Sequence, residues 1–360
     1  MTEARRLRLL DERARELETC GYCPKLCRAS CPVSNAEPRD SLTPWGKMSL
    51  AWFAARGELA LDHEQAAVSW ACTGCYACRD HCDHRNPVSS TLFDARADAF
   101  EAGVAPLAAV RVVEAHAERL REVEQSLTSL ATIRGVDPAA KTALLVGCGY
   151  LRELPAVARD AVLATIALVG PVRLVEGCCG APLLMAGDRA GFAAARRALT
   201  AELSDAERVI VVDPGCAVAL GDHALELLVD VAAEKLRALR PIKAFRDGQN
   251  VRWHDPCQLG RGLGRYEEPR AVLGRLLGRS PDEFPRRRVE AACSGGGGLL
   301  PATMPEVSAR IADDRLDEHR GAGGGVLVTA CASSLRRLSG RGVDAVDLVT
   351  LLRQGLTEDG

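Results

Sequence analysis

Hydrophobic and polar positions follow two different patterns along this chain of 360 residues. Up to about residue 104, apolar residues form short helical stretches such as 45–56, and there is almost no strand pattern. After residue 138, short β-branched runs alternate with helical stretches. These runs are 142–146, 172–175, 209–212, 251–253 and 326–329. The alternation predicts a helical N-terminal part followed by α/β domains.

The segment 105–138 joins these two parts. Its apolar residues recur at helical spacing, which predicts an amphipathic connecting helix. They are Leu107, Val110, Val113, Leu120, Val123, Leu127 and Leu130. Gly135 and Pro138 then mark a boundary.

The α/β part contains an internal repeat. VIVVDPGCAVAL around Cys216 corresponds to VLVTACASSLRRL around Cys331, and GCCGAPLL around Cys179 corresponds to ACSGGGGLL around Cys293. Each half also has a strand that ends in a lone cysteine, Cys148 or Cys257. We therefore predict two copies of one α/β unit. The predicted domains are 1–104, the linker 105–138, and the repeats 139–245 and 246–360.

Charge and hydropathy exclude several classes of protein. There are 46 Lys and Arg against 48 Asp and Glu, so the chain lacks the basic excess that would indicate a nucleic-acid partner. The N-terminal segment is charged and lacks the apolar core of a secretory signal, which predicts a cytoplasmic protein. No run approaches the 18 or so apolar residues of a membrane span. Any attachment to the inner face of a membrane is expected to come through a partner.

Fifteen cysteines are many for a chain in a reducing compartment, where clustered cysteines are more often metal ligands than disulfides. Eight of them form two tight groups in the helical part. The first is Cys20-x2-Cys23-x3-Cys27-x3-Cys31-Pro32, and the second is Cys72-x2-Cys75-x2-Cys78-x3-Cys82. The second group has the spacing of bacterial ferredoxins. Together they predict two [4Fe–4S] clusters.

Geometry predicts crossed ligation of these clusters. Three thiolates from one short loop reach three irons of a cubane, and the fourth ligand of each cluster comes from the other group. One predicted set is therefore Cys20, Cys23, Cys27 and Cys82, and the other is Cys72, Cys75, Cys78 and Cys31. We expect Pro32 to turn the chain so that Cys31 can reach across. The alternative is a pair of four-thiolate zinc sites, which paired C-x2-C motifs can also form.

These motifs, with TPWGK, LAWFAARGELALDHEQAAVSWACTGCYACRDHC and HDPCQLGRGLGRYEEPRAVLGRLL, resemble the family of heterodisulfide reductase D subunits. That family includes the iron–sulfur subunits of glycolate oxidase and of anaerobic glycerol-3-phosphate dehydrogenase. The resemblance covers nearly the whole chain. It implies an α-helical two-cluster ferredoxin domain followed by two α/β cysteine-rich (CCG) domains.

The resemblance also implies five thiolates in each complete CCG domain, and both repeats depart from this pattern. The first repeat has Asp213 where a Cys-x2-Cys should begin, and the second has Ala292 and Ser334 in place of two cysteines. Four thiols remain in the first repeat, Cys148, Cys178, Cys179 and Cys216. They are candidate ligands of a third centre, either an iron–sulfur cluster or zinc. The alternative is that they are small buried residues.

The second repeat keeps three thiols, Cys257, Cys293 and Cys331, which favours a structural role unless His254 or Asp255 completes a site. Its glycines carry a separate expectation. Gly260, Gly262 and Gly264 lack the G-x-G-x-x-G spacing of a nucleotide site and predict a loop before a helix. The run 295–298 predicts close backbone approach, either to a centre beside Cys293 or between the repeats.

These features favour an electron-transfer subunit of an oxidoreductase complex. Its expected partners are a flavoprotein dehydrogenase, a membrane cytochrome subunit, or both, and its expected acceptor is quinone-linked or a thiol. One alternative is an enzyme that itself reduces a disulfide or heterodisulfide at the repeats. Another is a non-catalytic redox sensor or scaffold.

Overall fold

The computed structural model describes residues 7–221, 224–245 and 248–357, so the first six residues of the charged N-terminal segment lie outside it. The chain divides into two compact units. The first unit comprises Met1–His116, Pro182–Ala193 and Ala292–Arg315. The second comprises Ala117–Ala181, Ala194–Ala291 and Leu316–Gly360.

The helices and strands follow the predicted change from helical to α/β structure. The helices are α1 (Arg8–Asp11), α2 (Ala14–Gly21), α3 (Pro32–Ala36), α4 (Pro44–Ala55), α5 (His63–Trp70), α6 (Ala77–His81), α7 (Val88–Glu101), α8 (Leu107–Glu114), α9 (His116–Leu130), α10 (Cys148–Glu153), α11 (Pro155–Val169), α12 (Ala181–Ala186), α13 (Arg189–Leu203), α14 (Pro214–Leu220), α15 (Leu228–Glu234), α16 (Glu267–Leu277), α17 (Leu300–Thr303), α18 (Pro305–Gly321), α19 (Ala332–Leu338) and α20 (Leu348–Leu356). The strands are β1 (Thr142–Leu145), β2 (Arg173–Leu174), β3 (Arg208–Val211), β4 (Glu226–Leu227), β5 (Val251–Trp253), β6 (Asp282–Glu283), β7 (Val326–Thr329) and β8 (Ala345–Asp347).

In the first unit, a helix cap and buried polar contacts fix helices that pack around the cysteine groups. Thr43 begins α4 by accepting a hydrogen bond from the amide of Gly46 at 3.0 Å, and Pro44 occupies the first helical position. Asp98 of α7 accepts the amides of Leu9 and Leu10, which ties α1 to α7. Helices α1, α2, α4 and α7 share an apolar core that includes the Cys20 and Cys78 side chains.

In the second unit, two parallel four-stranded sheets have the same strand arrangement. Their orders are β2-β1-β3-β4 and β6-β5-β7-β8. Helices lie between successive strands in the chain, as parallel pairing requires. One continuous apolar core includes residues from both repeats, among them Leu144, Ile210, Trp253 and Val328. The predicted fold class, a helical ferredoxin domain followed by two repeated α/β CCG domains, is therefore confirmed.

The predicted connecting helix is two helices. Helix α8 ends at Glu114, and α9 begins at His116. The apolar spacing does not reveal this break, because Leu120 follows Val113 at i+7 and keeps the helical period. In the described part of the chain, no helix is both long and apolar enough to cross a membrane. The predicted domain boundaries stay predictions.

Candidate functional site

The two cysteine groups lie on similar local structures in the first unit. Cys20 occupies the last turn of α2, and Cys78 lies in α6. Cys31 follows a short 3-10 turn and is extended, with φ −87° and ψ 115°. Cys82 follows α6 with almost the same conformation, φ −87° and ψ 127°. The fourth cysteine of each group therefore leaves a short helical turn as extended chain.

Pro32 has a different role from the one expected. It is the first residue of α3, the helical position where proline is best tolerated, so it begins a helix after Cys31. Asp83 follows Cys82, and Cys82 is extended all the same. The extended conformation of the fourth cysteine thus does not depend on a following proline.

The thiols that surround Cys20 come from both cysteine groups. Burial, together with the neighbouring Cys27, Cys23 and Cys82, raises the pKa of Cys20 to about 12. Burial likewise raises the pKa of Cys27 to about 11, with Cys23 its strongest thiol neighbour. Asn86 donates a hydrogen bond from its side-chain amide to the Cys20 sulfur at 3.1 Å. Cys31 acts on Cys27 as Cys82 does, so the assignment of the fourth ligand to each cluster stays a prediction.

The second set of thiols lines a cavity in the same unit. Cys31, Cys72, Cys75 and Cys78 lie on its wall, with Lys47 and Ser89 beside them. Burial raises the pKa of Cys78 well above its ordinary value, and Cys72, Cys75 and Cys31 add to the effect. The amide of Gly74, which has a positive φ of 66°, donates to the Cys72 sulfur at 3.4 Å. A cavity with four thiols on its wall and a cation beside them fits an anionic iron–sulfur cluster.

Three polar residues near these thiols were not identified from the sequence. They are Lys47, Asn86 and Arg96, all buried. Lys47 belongs to the TPWGK stretch, which carried the only sequence signal among the three. Asn86 and Arg96 have no motif, because contacts with Cys20 and Cys72 arise only when α7 packs in the fold.

The four thiols of the first repeat are also neighbours, in the second unit. The Cys179 and Cys216 sulfurs lie 3.3 Å apart. Hydrogen bonding with Cys178, together with burial, raises the pKa of Cys148. Hydrogen bonds with Cys178 and Cys216, together with burial, raise the pKa of Cys179. The structure therefore brings all four candidate ligands of the third centre together.

Asp213 lies at this group and occupies the position of a missing cysteine. Its carboxylate accepts the amides of Gly215 and Ala332, and so links the first repeat to the segment after Cys331. Burial raises the pKa of Asp213 in spite of these hydrogen bonds. In the described ranges, no three His, Cys, Asp or Glu side chains are arranged around one point as ligands of a single metal ion.

Local geometry changes the alignment between the repeats. The amide of Gly180 donates to the Cys178 sulfur at 3.4 Å, and the amide of Gly295 donates to the Cys293 sulfur at 3.3 Å. Both glycines have positive φ, 76° and 79°. Cys293 is thus equivalent to Cys178, so Ser294 and not Ala292 occupies the position of Cys179.

Asp255 is engaged in structural contacts in the second unit. Burial raises its pKa, but hydrogen bonds from Arg270 and from the Arg288 amide outweigh burial and hold the pKa below its ordinary value. Arg270 contacts both carboxylate oxygens, at 2.8 and 2.9 Å, and the Trp253 indole donates to one of them at 2.9 Å. His254 is buried, with its ring edge-on to Phe284. Asp255 is therefore a poor candidate to complete a metal site with Cys257.

The glycine-rich segments also have observable roles. Residues Gln258–Gly262 form one wide helical turn before α16, as predicted for a loop and helix start. A side-chain carbon at Gly298 would overlap the carbonyl oxygen of Cys72, and one at Gly297 would overlap that of Thr73. The close approach predicted for the glycine run is thus to the second cysteine group. This differs from both expectations, which were a centre beside Cys293 and an approach between the repeats.

Comparisons with known proteins agree with this arrangement. Residues 16–86 match the 4Fe-4S dicluster domain, and residues 142–221 and 251–336 each match the cysteine-rich domain. The chain is 24% identical to the D subunit of the dihydromethanophenazine:CoB–CoM heterodisulfide reductase of Methanosarcina barkeri, over 92% of this chain and 90% of that protein. It is 25% identical to the B subunit of the fumarate reductase (CoM/CoB) of Methanothermobacter marburgensis, over 88% and 66%.

A third relative is lactate utilization protein A of an Exiguobacterium species, 27% identical over 46% of this chain and 74% of that protein. The three relatives are distant in identity, but both kinds of domain in this chain match their family models. The chain therefore belongs to the proteins in which a 4Fe–4S dicluster domain precedes two cysteine-rich domains, and it is a distant homologue of the heterodisulfide reductase D subunits and of lactate utilization protein A.

Proposed function

We propose that this chain is an electron-relay subunit of an oxidoreductase complex. Cys20, Cys23, Cys27 and Cys82 would hold one [4Fe–4S] cluster, and Cys72, Cys75, Cys78 and Cys31 would hold the other. When bound, each cluster supplies reversible one-electron transfer. The observation that carries the proposal is the cavity whose wall presents four thiols drawn from both cysteine groups.

The protein's own residues hold and shield these sites. Burial of Cys20, Cys31, Cys75 and Cys78 limits water at the sulfurs, and hydrogen bonds from Asn86 and Gly74 reach two of the eight thiols. Solvent exposure and hydrogen bonds to sulfur are the features that set cluster potentials. The donor would be a flavoprotein dehydrogenase and the acceptor a quinone-linked or thiol group, with a membrane cytochrome as a further partner. Relatives named as subunits of reductases support a role within a complex.

The first repeat would provide a third centre. Its four neighbouring thiols, with Asp213 beside them, suit an iron–sulfur cluster or zinc. The Ser294 and Ser334 positions leave the second repeat without the ligands for an equivalent centre.

Analysis of iron, sulfide and zinc in the full chain after anaerobic purification tests the proposal. We expect about eight iron and about eight sulfide from the helical domain, with more if the first repeat is metallated. Zinc in place of iron at the eight cysteines would contradict the proposal. Loss of only the additional metal in a Cys179→Ala variant would locate it in the first repeat.

A further inference from the structure

We propose that two buried cations, Lys47 and Arg96, make the site of Cys31, Cys72, Cys75 and Cys78 the more easily reduced of the two cluster sites. This inference rests on the proposed function, because it concerns the potential of a bound cluster. It identifies Lys47 and Arg96 as positioning residues that act through charge.

Lys47 points at the site from α4. It is 2% exposed, and its Nζ donates to the Cys31 sulfur at 3.5 Å. Lys47 also lines the cavity whose wall carries the four thiols. The Thr43 cap fixes the start of α4, and the Lys47 amide donates to the Thr43 carbonyl at 3.0 Å, so the ammonium group is held one turn into the helix. Among the described residues, no carboxylate forms an ion pair with it.

Arg96 approaches the same site from α7 and is fully buried. Its guanidinium donates to the Cys72 carbonyl at 2.7 Å. It also donates to the carbonyls of Ser69, Met185 and Gly298, at 3.1, 2.8 and 3.0 Å. Its other contacts are the Phe93 and Trp70 rings, 4.9 and 5.6 Å from the guanidinium carbon. All these partners are uncharged.

The positive charges of Lys47 and Arg96 would be stabilised by a nearby anion. A buried cation without a counter-charge destabilises the fold. Within the described ranges, the anionic groups available to both side chains are the thiolates of this one site. A cluster with four thiolates is an anion, and its reduction adds one more negative charge. Nearby cations favour that added charge by Coulomb attraction, which is strong where water is excluded.

The other site has a different environment. The buried polar side chain that contacts Cys20 is the neutral amide of Asn86. Lys25 and Arg28 lie in the same loop as the first cysteine group, but both form surface ion pairs with Asp40, and such pairs contribute little. The two sites thus differ in charge, because two buried cations approach the cavity site and a buried neutral amide approaches Cys20.

A redox titration of the full chain, followed by paramagnetic resonance, tests this inference. The variants are Lys47→Met, which removes the charge, and Lys47→Arg, which keeps it. Lys141→Met is the matched control, because Lys141 is exposed and belongs to the other unit. The signal of the cavity site is identified as the one lost in Cys75→Ala. Iron and sulfide are measured in each preparation.

We expect Lys47→Met to lower the reduction equilibrium constant of the cavity site about tenfold, which is about 59 mV for one electron. Lys47→Arg and Lys141→Met should stay within about threefold of the parent, and the other cluster should shift less than the cavity site. A full iron content with no shift, or an equal shift of both clusters, would overturn the inference.

Loss of the cavity cluster requires a separate comparison. If Lys47→Met loses half its iron and Lys47→Arg keeps it, the positive charge is required to hold the cluster, which supports the inference. If both variants lose it, shape rather than charge is responsible and the inference is wrong. Absence of iron from the parent protein would instead contradict the proposed function.

Discussion

The hydroxyl of Tyr150 donates a 2.8 Å hydrogen bond to the carboxylate of Asp347, and both side chains are fully buried. Tyr150 follows the lone cysteine of the first repeat, and Asp347 ends the last strand of the second. The equivalent residues of the opposite repeats are Leu259 and Leu227, which line the same small cavity as Tyr150. The pair is thus the polar half of an otherwise apolar junction between the repeats.

We predict that the buried carboxyl group of Asp347 makes the folded chain less stable as the pH rises. Burial raises its pKa to about 7, so the folded chain binds a proton more tightly than the unfolded chain. The unfolding free energy should therefore decrease between about pH 4 and pH 7. The rise in the pKa from 3.8 to about 7 limits this decrease in the unfolding free energy to about 4 kcal/mol. Asp347→Asn should flatten this part of the profile, measured as the unfolding temperature under anaerobic conditions.

Tyr150→Phe is the informative companion variant. The tyrosine hydrogen bond lowers the pKa of Asp347, so its removal should raise that pKa and extend the decrease in stability to higher pH. Asn at 347 can still accept the Val349 amide, so the cap of α20 is retained. If the unfolding temperatures of the parent and of Asp347→Asn change with pH in the same way, another group is responsible for the change.

Local spacing in the sequence is enough to predict which cysteines would hold the clusters, but it does not determine what surrounds them. The β5 and β7 strands were predicted with the bounds that the structure has, and β7 is the buried, β-branched run that is typical of a parallel strand. Arg96 could not be predicted, because its four carbonyl acceptors come from segments up to 202 residues away. The assignment of Ala292 to a cysteine position was wrong by one residue, because the Gly180 and Gly295 amides that donate to Cys178 and Cys293 align Ser294 with Cys179.

Gly298 gives a prediction about the cavity site. It has a positive φ of 62°, and a methyl group there would overlap the Cys72 carbonyl. Gly298→Ala should therefore displace the Cys72 segment and lower iron retention after purification. Gly103→Ala is a matched control in the same unit, since Gly103 has φ 71° and open space around it. Equal iron content in the two variants would mean that the Cys72 segment adjusts without cost.

We predict that the isolated chain has weak or no disulfide reductase activity, because its cysteine-rich repeats are incomplete. Asp213, Ser294 and Ser334 occupy three ligand positions, so neither repeat can supply five thiolates. With an artificial electron donor, we expect no turnover of a disulfide substrate above that of a Cys179→Ala variant. Turnover that Cys179→Ala abolishes would favour the catalytic alternative.

Crossed ligation is the sharpest prediction for the helical domain. Cys31 lines the cavity with Cys72, Cys75 and Cys78, so Cys31→Ala and Cys75→Ala should perturb the same paramagnetic signal. Cys82 is a neighbour of Cys20 and Cys27, so Cys82→Ala should share its effect with Cys23→Ala. Each variant should keep about half the iron, because three thiolates from one loop cannot replace the distant fourth ligand. If Cys31→Ala instead damages the cluster that Cys23→Ala damages, each group binds its own cluster, and the extra residue before Cys27 lets the first loop close around four irons.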